Sequence, residues 1–314
     1  MKGGFVPQSF LSDANAIAPA HIIEMAQKAA SPRVAIARAG APLPMLAAKE
    51  ATEANMMIPV FTGERHMIEA EAEKLNWDIS GFELIEAEGE AASGAAAALA
   101  CGEGRADVLM KGQLHTDAFM RAAVSRDAGL RTGRRFVHIF HITTPDGTGS
   151  ITISDAAVNV TPDMATRQDA TAEVVKLLHK LGNARPKVAF LSATESAIES
   201  VPSSMDGRAL RDWAVENIVD ADFSGPLALD LIISPKSVAT KKITDDPVAG
   251  KADAIIVPDI VAGNALFKSF VYLAGGCAGG IVMGAKVPIL LTSRADPPAA
   301  RLSSVALGAI MAAA

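Results

Sequence analysis

The amino-acid sequence predicts an α/β protein with two halves, and three observations support this prediction. Short apolar or β-branched runs alternate with Ala-rich runs of helical length, which is typical of βαβ units with a parallel sheet covered on both faces. A hairpin pattern interrupts the alternation near residue 150. Hydrophobic residues make up 50% of the 314 residues and aromatic residues only 4%, which favours closely packed layers over an aromatic binding surface.

The first half is predicted to contain four strands with three helices between them. Apolar or β-branched runs predict strands at 33–39, 58–63, 82–87 and 106–112. The runs between them predict helices at 43–55, 64–75 and 90–100. Helices that connect successive strands bring those strands back in parallel.

The middle of the chain has a different pattern. The runs "RRFVHIFHI" and "GSITISDAAV" predict two strands, and "TTPDGTG" between them is typical of a hairpin turn. A hairpin within a βαβ series often marks a change of domain, so two α/β halves are predicted to meet near residue 150. His138 and His141 are three residues apart on one strand, so they should face opposite sides, which favours ordinary packing over a metal pair.

The alternation resumes after the hairpin. Helices are predicted at 166–181, 207–219, 225–233 and 260–273. Strands are predicted at "KVAFLS", "ADAIIVP" and "PILLTS".

Composition excludes several classes of protein. The net charge of -6 and the lack of a basic block argue against nucleic acid as a partner. The two cysteines form no CxxC, which argues against a disulfide scaffold or a thiolate zinc site and suits a reducing compartment. No apolar stretch reaches the length of a membrane span and no secretory h-region is present, so we expect a cytoplasmic protein without a membrane partner. The P-loop, GxGxxG, HExxH and GxSxG motifs are absent.

Polar side chains follow four predicted strands, in "LMKGQLHT", "FLSATES", "IVPDIVAGN" and "LLTSRAD". Ligands of open α/β sheets bind outside the carboxyl ends of the strands. Candidate ligand-binding residues at or just after the first three ends are Gln113, His115, Thr116, Ser192, Thr194, Asn264 and Lys268. Alternative roles remain open, because Thr116 and one residue of "LSATES" also suit helix caps and Lys268 also suits a solvated face.

Three blocks of sequence point to one family. They are "SGPLALDLIISPKSVATKK", with Ser224 where the family more often has Asp, "DDPVAGKADAIIVPDIVAGNALFK", and "GIVMGAKVPILLTSRAD". The runs "ADVLMKGQLHT", "SDAAVNVTPD" and "KVAFLSATES" fit the same family in the same order. Over residues 15–312 the chain resembles the phosphate acetyl/butyryltransferase family.

The resemblance implies a reaction, a fold and an assembly. The reaction converts acyl-CoA and phosphate to acyl phosphate and CoA, with acetyl as the first acyl group and butyryl as the alternative. The fold has two α/β domains with a cleft between them, similar to isocitrate and isopropylmalate dehydrogenases. Its implied bounds are 1–148 plus about 295–314 for the first domain and 149–294 for the second. A homodimer is implied, with coenzyme A as a substrate and no metal or permanent cofactor.

The resemblance also implies catalytic roles for the segment "TSRAD". In the family a Ser-Arg pair at the place of Ser293 and Arg294 is catalytic, and an arginine suits phosphate because its planar fork donates two charge-assisted hydrogen bonds. The carboxylate that takes the thiol proton in the acetyltransferase branch would fall at Ala300. Asp296 is a second candidate for this base, but an Asp before Pro297 is also typical of a helix N-cap, and this alternative is the favoured one.

The remaining expectations concern substrate contacts and competing functions. The residues Gln113, His115, Thr116, Ser192, Thr194, Asn264 and Lys268 are expected on the phosphate side, and Arg131, Arg134 and Arg135 at the CoA phosphates. Cys277 is expected to be a small packing residue. A metal-dependent decarboxylating dehydrogenase on a similar fold is an alternative that would need clustered aspartates, and a non-catalytic CoA-binding protein is another.

Overall fold

The computed structural model describes residues 10–291 and 296–313. These residues contain one mixed sheet of eleven strands in the order β3-β2-β1-β4-β11-β10-β5-β6-β9-β7-β8. The strands are β1 Arg33–Ala37, β2 Ile58–Gly63, β3 Glu83–Glu86, β4 Val108–Lys111, β5 Val137–Thr143, β6 Ser150–Ser154, β7 Lys187–Leu191, β8 Asp222–Leu227, β9 Ala254–Ile256, β10 Cys277–Met283 and β11 Ile289–Leu290.

Helices cover both faces of this sheet. They are α1 Ala20–Lys28, α2 Pro42–Glu53, α3 Arg65–Lys74, α4 Gly89–Gly102, α5 Thr116–Val124, α6 Met164–Lys180, α7 Pro202–Asn217, α8 Leu229–Ile233, α9 Pro235–Thr240, α10 Ile260–Lys268 and α11 Pro298–Ala312. A π-helical turn, Ser269–Leu273, continues α10. In the part of the chain that the structure describes, no helix combines the length and apolarity needed to cross a bilayer.

Two groups of parallel strands run in opposite directions. β3, β2, β1, β4 and β11 form one parallel group, and β6, β9, β7 and β8 form the other. Between them, β10 is antiparallel to both β11 and β5, and β5 is antiparallel to β6. The predicted hairpin is therefore present, with Thr143 opposite Ser150.

The second half of the chain departs from the predicted elements in two places. The predicted helix at 225–233 is instead the edge strand β8 followed by the short helix α8. Phe223 and Leu227 are buried there, and Pro226 is tolerated because β8 has a partner on one side only. β10 was not predicted, because its glycines weaken the strand pattern, although they pack closely against neighbouring elements.

The apolar core differs between the two faces of the sheet. On the face covered by α1, α2, α3, α6, α7 and α11, one cluster of buried side chains extends from Phe61 on β2 to Phe223 on β8. We call this the continuous face. On the other face, one cluster lies under α4 and α5 and a separate cluster lies under α8, α9 and α10. We call this the split face.

Candidate active site

The interruption of the core on the split face lies over the central strands. The cluster under α4 and α5 includes Val282 on β10, and the cluster under α8 to α10 includes Ala278 on the same strand. Gly280 lies between them. Because side chains two residues apart share one face of a strand, Gly280 marks the floor of the gap between the two clusters.

Two side chains of β5 lie beside Gly280. A Cβ added to Gly280 would be 3.0 Å from Cε1 of Phe140 and 3.1 Å from Cε1 of His138. The ring centroids of His138 and Phe140 are 4.3 Å apart. The glycine therefore leaves the space into which both rings extend.

His138 is buried and close to an acidic group. Its main-chain N–H donates to Oδ2 of Asp155 at 3.0 Å, and its Nδ1 has no hydrogen-bond partner. Burial lowers the pKa of His138 below its usual value, although the charge of Asp155 acts in the opposite direction. The imidazole is therefore neutral at physiological pH.

Asp155 organises the segment that follows β6. Its carboxylate accepts N–H bonds from Ala157 at 2.9 Å, Val158 at 3.0 Å and Asn159 at 3.3 Å. The Nδ2 of Asn159 donates to Oδ2 of the same carboxylate at 2.7 Å. One buried acid thus fixes the loop that borders the gap.

Helix α10 forms one wall of the gap. Phe267 stacks on Phe140 with ring centroids 3.7 Å apart and planes inclined by 4°. Nδ2 of Asn264 donates to the carbonyl of Ala156 at 3.3 Å. The helix begins after Asp259, whose side chain accepts the N–H of Ala262 at 2.9 Å.

The end of β4 lies on the same face as Gly280. Lys111 is buried and follows Leu109, a member of the cluster under α4 and α5, by two residues. Next comes Gly112, where a Cβ would lie 2.4 Å from the carbonyl oxygen of Ala37. Only glycine fits this close approach between the loops that follow β1 and β4, which is the point where the strand order reverses.

An ion network connects these loops. Nη2 of Arg38 lies 3.1 Å from Oε1 of Glu64, and its Nη1 lies 3.6 Å from Oε1 of Glu90. Nδ1 of His115 lies 2.9 Å from Oε2 of Glu90. The N–H and imidazole of His115 lower the pKa of Glu90. Burial would raise the pKa of Glu64, but hydrogen bonds from Arg38 and main-chain N–H groups lower it overall, so the carboxylates remain charged.

A cavity of about 330 Å³ lies beside the loop that Asp155 organises. Its lining combines apolar side chains with three guanidinium groups. The lining residues are Met120, Val124, Arg131, Arg134, Arg135, Phe136, Val158 and Asn159. A cavity with apolar walls and several cations suits an amphipathic anion.

Comparisons with known proteins agree with this architecture. The family profile of phosphate acetyl/butaryl transferase matches residues 92–309. The chain belongs to this family. It is 37% identical over 265 residues to a phosphate acetyltransferase of Rhizobium meliloti, covering 84% of each chain. It is 31% identical over 281 residues to a phosphate butyryltransferase of Clostridium acetobutylicum, covering 89% of this chain and 93% of that one.

A solved member of the transferase family has the same fold. The branched-chain phosphotransacylase from Enterococcus faecalis superposes with a TM-score of 0.77 at 27% identity, and the match covers 89% of this chain and 98% of that one. The mixed sheet and its helical layers are therefore those of a phosphotransacylase.

The predicted catalytic residues are only partly within the described structure. Ser293 and Arg294 lie outside the described residues. The prediction that Asp296 is a helix N-cap was wrong, because the cap residue is Pro297, helix α11 begins at Pro298, and no side chain caps it. The proline ring fixes φ near the value the first turn needs, which shifts the start of the helix by one residue.

The predicted phosphate-side residues are divided among several places. Gln113, His115 and Thr116 follow β4 at the loop beside Lys111, and α5 begins at Thr116 after His115, so Thr116 is not the cap. Asn264 lies in the wall of the gap. Lys268 is exposed at the last turn of α10.

Ser192 and Thr194 lie further away, after β7, which β9 separates from β6. Oγ of Ser192 is 2.9 Å from Oγ of Ser203, and Oγ1 of Thr194 accepts the N–H of Ser196 at 3.1 Å. No residue of this run caps α7, whose cap position is Val201. Oγ of Ser204 instead accepts the N–H of Ile198 at 2.9 Å and donates to the carbonyl of Val201 at 2.7 Å, which ties the first turn of α7 to the residues before it.

The network of Arg38, Glu64 and Glu90 was not predicted from the sequence, and neither was the stack of Phe140 on Phe267. Arg38 directly follows β1 with φ of 55°. Its position, as a polar residue after a buried strand, was the one sequence feature that could have indicated a role at the site. The stack joins distant parts of the chain and has no local pattern.

The aspartates named for the alternative dehydrogenase have structural contacts. Asp253 accepts the N–H of Lys187 at 2.7 Å, Asp259 caps α10, and Asp230 lies in the first turn of α8. Among residues 10–291 and 296–313, no group of three or more His, Cys, Asp or Glu side chains is arranged to hold a metal ion.

Proposed function

We propose that this protein is a phosphate acyltransferase that interconverts acyl-CoA plus phosphate and acyl phosphate plus CoA, with acetyl as the first acyl group and butyryl as the alternative. The observation that carries the proposal is the gap in the core of a phosphotransacylase fold, between the end of β4 and helix α10. The family match and the identity to acetyl- and butyryltransferases support it.

The reaction needs a base, a site for negative charge and a site for phosphate. The CoA thiol loses its proton and its sulfur attacks the carbonyl carbon of the acyl phosphate. A carbon–sulfur bond forms, the bond from that carbon to the bridging oxygen breaks, and phosphate leaves. Groups that stabilise the charge on the carbonyl oxygen supply the largest share of catalysis in such reactions.

Ser293 and Arg294 are proposed as the catalytic pair. Ser293 is proposed to form a hydrogen bond near the CoA thiol, and Arg294 to stabilise the negative charge that develops in the transition state. The support is the sequence resemblance and the course of the strand that leads to them. β11 is parallel to β4, with Leu290 opposite Met110. The chain thus leaves β11 at the sheet edge where Lys111 ends β4.

Asp296 is proposed as the base that takes the thiol proton. The alternative role as the N-cap belongs to Pro297 instead, and Ala300 is a buried residue without an ionisable group. A guanidinium N–H of Arg301 donates to the main-chain carbonyl of Asp296. This contact anchors the residue at the start of α11.

The phosphate side is proposed at the loop after β4, with Gln113, His115 and Thr116, and at Asn264 across the gap. Ser192, Thr194 and Lys268 are retained as weaker candidates, because of their distance from the gap or their exposure. The ion network around Arg38 holds the β4 loop, since Nη1 of Arg38 donates to the carbonyl of Gln113 at 3.4 Å.

The CoA phosphates are proposed to bind at the cavity lined by Arg131, Arg134 and Arg135. Helix α5 supports this placement, because it leads from Thr116 at the phosphate side to Val124 in the cavity wall. At 1.5 Å per residue this helix spans about 12 Å, so a pantetheine arm of similar length can connect the two ends.

Two domains are proposed, 1–148 plus about 295–314 and 149–294, with the gap as their cleft. β11 is an exception, because it lies in the second range but pairs with β4 of the first parallel group. Contacts of α11 with α1, α2 and β4 support the return of the C-terminal segment to the first group. A cytoplasmic homodimer is also proposed. Exposed apolar side chains on and beside α10 offer a surface for a second copy, namely Val160, Val261, Tyr272 and Leu273.

The proposed function is tested by measuring CoA-dependent release of phosphate from acetyl phosphate and butyryl phosphate without added metal. We expect release only when CoA is present, together with formation of the matching thioester. The reverse reaction, phosphate-dependent release of free thiol from acyl-CoA, is the second measurement. Absence of both reactions from a folded sample would contradict the proposal.

A further inference from the structure

One side chain in the middle of the sheet is unexpectedly accessible. Phe140 lies on β5, which has neighbours on both sides, yet its ring is only partly buried. Central strands of a sheet covered by helices on both faces are normally buried. Gly280, on the neighbouring strand β10, adds no side chain to cover it. The split face therefore has an apolar floor that its own helices cover only in part.

This floor is also uncharged. Phe140 is flanked by the ring of Phe267 at 3.7 Å and by the ring of His138 at 4.3 Å, measured between centroids. His138 is neutral because burial lowers the pKa of its imidazole. An uncharged aromatic floor suits an alkyl group and disfavours the phosphate or the CoA diphosphate.

The floor lies at the height at which β4 ends. Leu109 is opposite Ile289, and Ile289 is opposite Val282. Two residues further in the same direction along their strands, Lys111 and Gly280 are again level, two strands apart. Neighbouring strands are about 4.8 Å apart, so these residues are separated by about 10 Å. The floor at Gly280 is therefore within reach of the acyl chain of an acyl phosphate whose phosphate lies at the end of β4.

We propose that Phe140, Phe267 and Gly280 form the pocket for the acyl chain and set the longest chain that this enzyme accepts. The proposal rests on the acyltransferase function proposed above. Phe267 closes the far side of the pocket through its stack on Phe140. Gly280 leaves the room that the edges of the Phe140 and His138 rings occupy, so a methyl group at this position would push these rings into the pocket.

The test compares kcat/KM for butyryl phosphate with kcat/KM for acetyl phosphate. We expect Phe267→Ala to raise the ratio about tenfold, because two further methylene groups gain an apolar site. Gly280→Ala should lower the ratio at least about threefold. If Phe267→Ala does not fold, Phe267→Leu should shift the ratio in the same direction by a smaller factor.

Phe270→Ala is the matched control. Phe270 lies one turn further along, packs partly buried against the same cluster, and lines a different cavity, so its loss should leave the ratio unchanged. A folded, active Phe267→Ala or Phe267→Leu protein with an unchanged ratio would overturn the pocket. An equal shift in Phe270→Ala would overturn it as well. A wild-type protein inactive with both substrates would instead reject the proposed function.

Discussion

Nη1 of Arg134 lies 2.6 Å from Oε1 of Glu173, and the carboxylate is almost fully buried while the arginine is half exposed. This pair distinguishes Arg134 from the other two arginines of the proposed CoA cavity. The second oxygen of Glu173 has no hydrogen-bond partner, so Arg134 is the main compensation for a buried charge. Arg134 therefore has a structural task that Arg131 and Arg135 do not share.

We expect Arg134→Ala to destabilise the protein by about 1.5–3 kcal/mol, the range for a hydrogen bond to a charged group. Urea unfolding gives the free energy. The double variant Arg134→Ala, Glu173→Gln should recover part of this loss, because the neutral amide costs less to bury. Equal stability of the single variant and the wild type would contradict the structural task of Arg134.

Arg131→Ala and Arg135→Ala are expected to raise KM for CoA several-fold and to leave KM for acyl phosphate unchanged. The reason is that the cavity is assigned to the CoA phosphates only. The effect should weaken with added salt, since ionic strength screens exposed charges. Arg208→Ala, on the exposed side of α7, is the matched control, and an equal effect of this variant on KM would reject the assignment.

Arg294→Ala is expected to lower kcat by at least about 100-fold, the scale of losing one strong donor to the transition state. Steady-state kinetics at saturating CoA measure this effect. Arg294→Lys should recover only a small part of the activity, because an ammonium lacks the planar fork. Near-normal turnover in a folded Arg294→Ala protein would remove the residue from the catalytic assignment.

Asp296→Asn tests the proposed base. The amide keeps the size of the side chain but cannot accept the thiol proton, so turnover should fall by roughly 100- to 10,000-fold. Activity at higher pH should recover in part, because more of the CoA thiol is then ionised. An Asp296→Asn protein that keeps most of its turnover at neutral pH would show that the thiolate forms without this carboxylate.

The thiols are expected to be dispensable. Burial raises the pKa of Cys101 to about 12 and raises the pKa of Cys277, although a hydrogen bond with Ser303 lowers the latter slightly. Neither thiol is therefore a reactive thiolate at neutral pH. Cys101→Ala and Cys277→Ala should keep their activity, and the native protein should resist a thiol reagent. An acyl group trapped on either cysteine would contradict this interpretation.

Regular periodicity made the first half of the fold predictable. The predicted strand at 58–63 matches β2 at both ends, and the predicted helix at 64–75 differs from α3 by one residue at each end. β8 was predicted as a helix and β10 was not predicted at all. In both strands, contacts with distant parts of the chain rather than local propensity determine which residues fit. Gly280 is required by the rings of His138 and Phe140, which no local pattern reveals.

The candidate site was predictable only where it follows strand ends. The loop after β4 was found because polar residues follow a buried strand. The contacts that hold this loop could not be predicted from the sequence. The ion network of Arg38, Glu64 and Glu90 forms only because the strand order β2-β1-β4 places the loops after these strands side by side. The acyl pocket depends on the distant pair Phe140 and Phe267 in the same way.

Two buried histidines should make stability depend on pH. Burial lowers the pKa of His141 to about 4, with His21 adding to the effect, and burial also lowers the pKa of His138 while Asp155 opposes it. In the unfolded chain each imidazole takes up a proton near pH 6.5. Between pH 6.5 and about 4 the unfolded state therefore binds more protons than the folded state, so the free energy of unfolding falls as pH is lowered through this window.

Urea unfolding at pH 7 and pH 5 measures this dependence. The loss of stability between the two values should be smaller in His141→Gln than in the wild type, because one of the two groups no longer titrates. The exposed His66→Gln should keep the wild-type difference. His141 also contacts Oγ1 of Thr152 at 3.0 Å, so His141→Gln is expected to be less stable at both pH values, and only the difference between them is diagnostic. If that difference equals the wild-type one, the burial of a neutral imidazole is not what couples stability to pH.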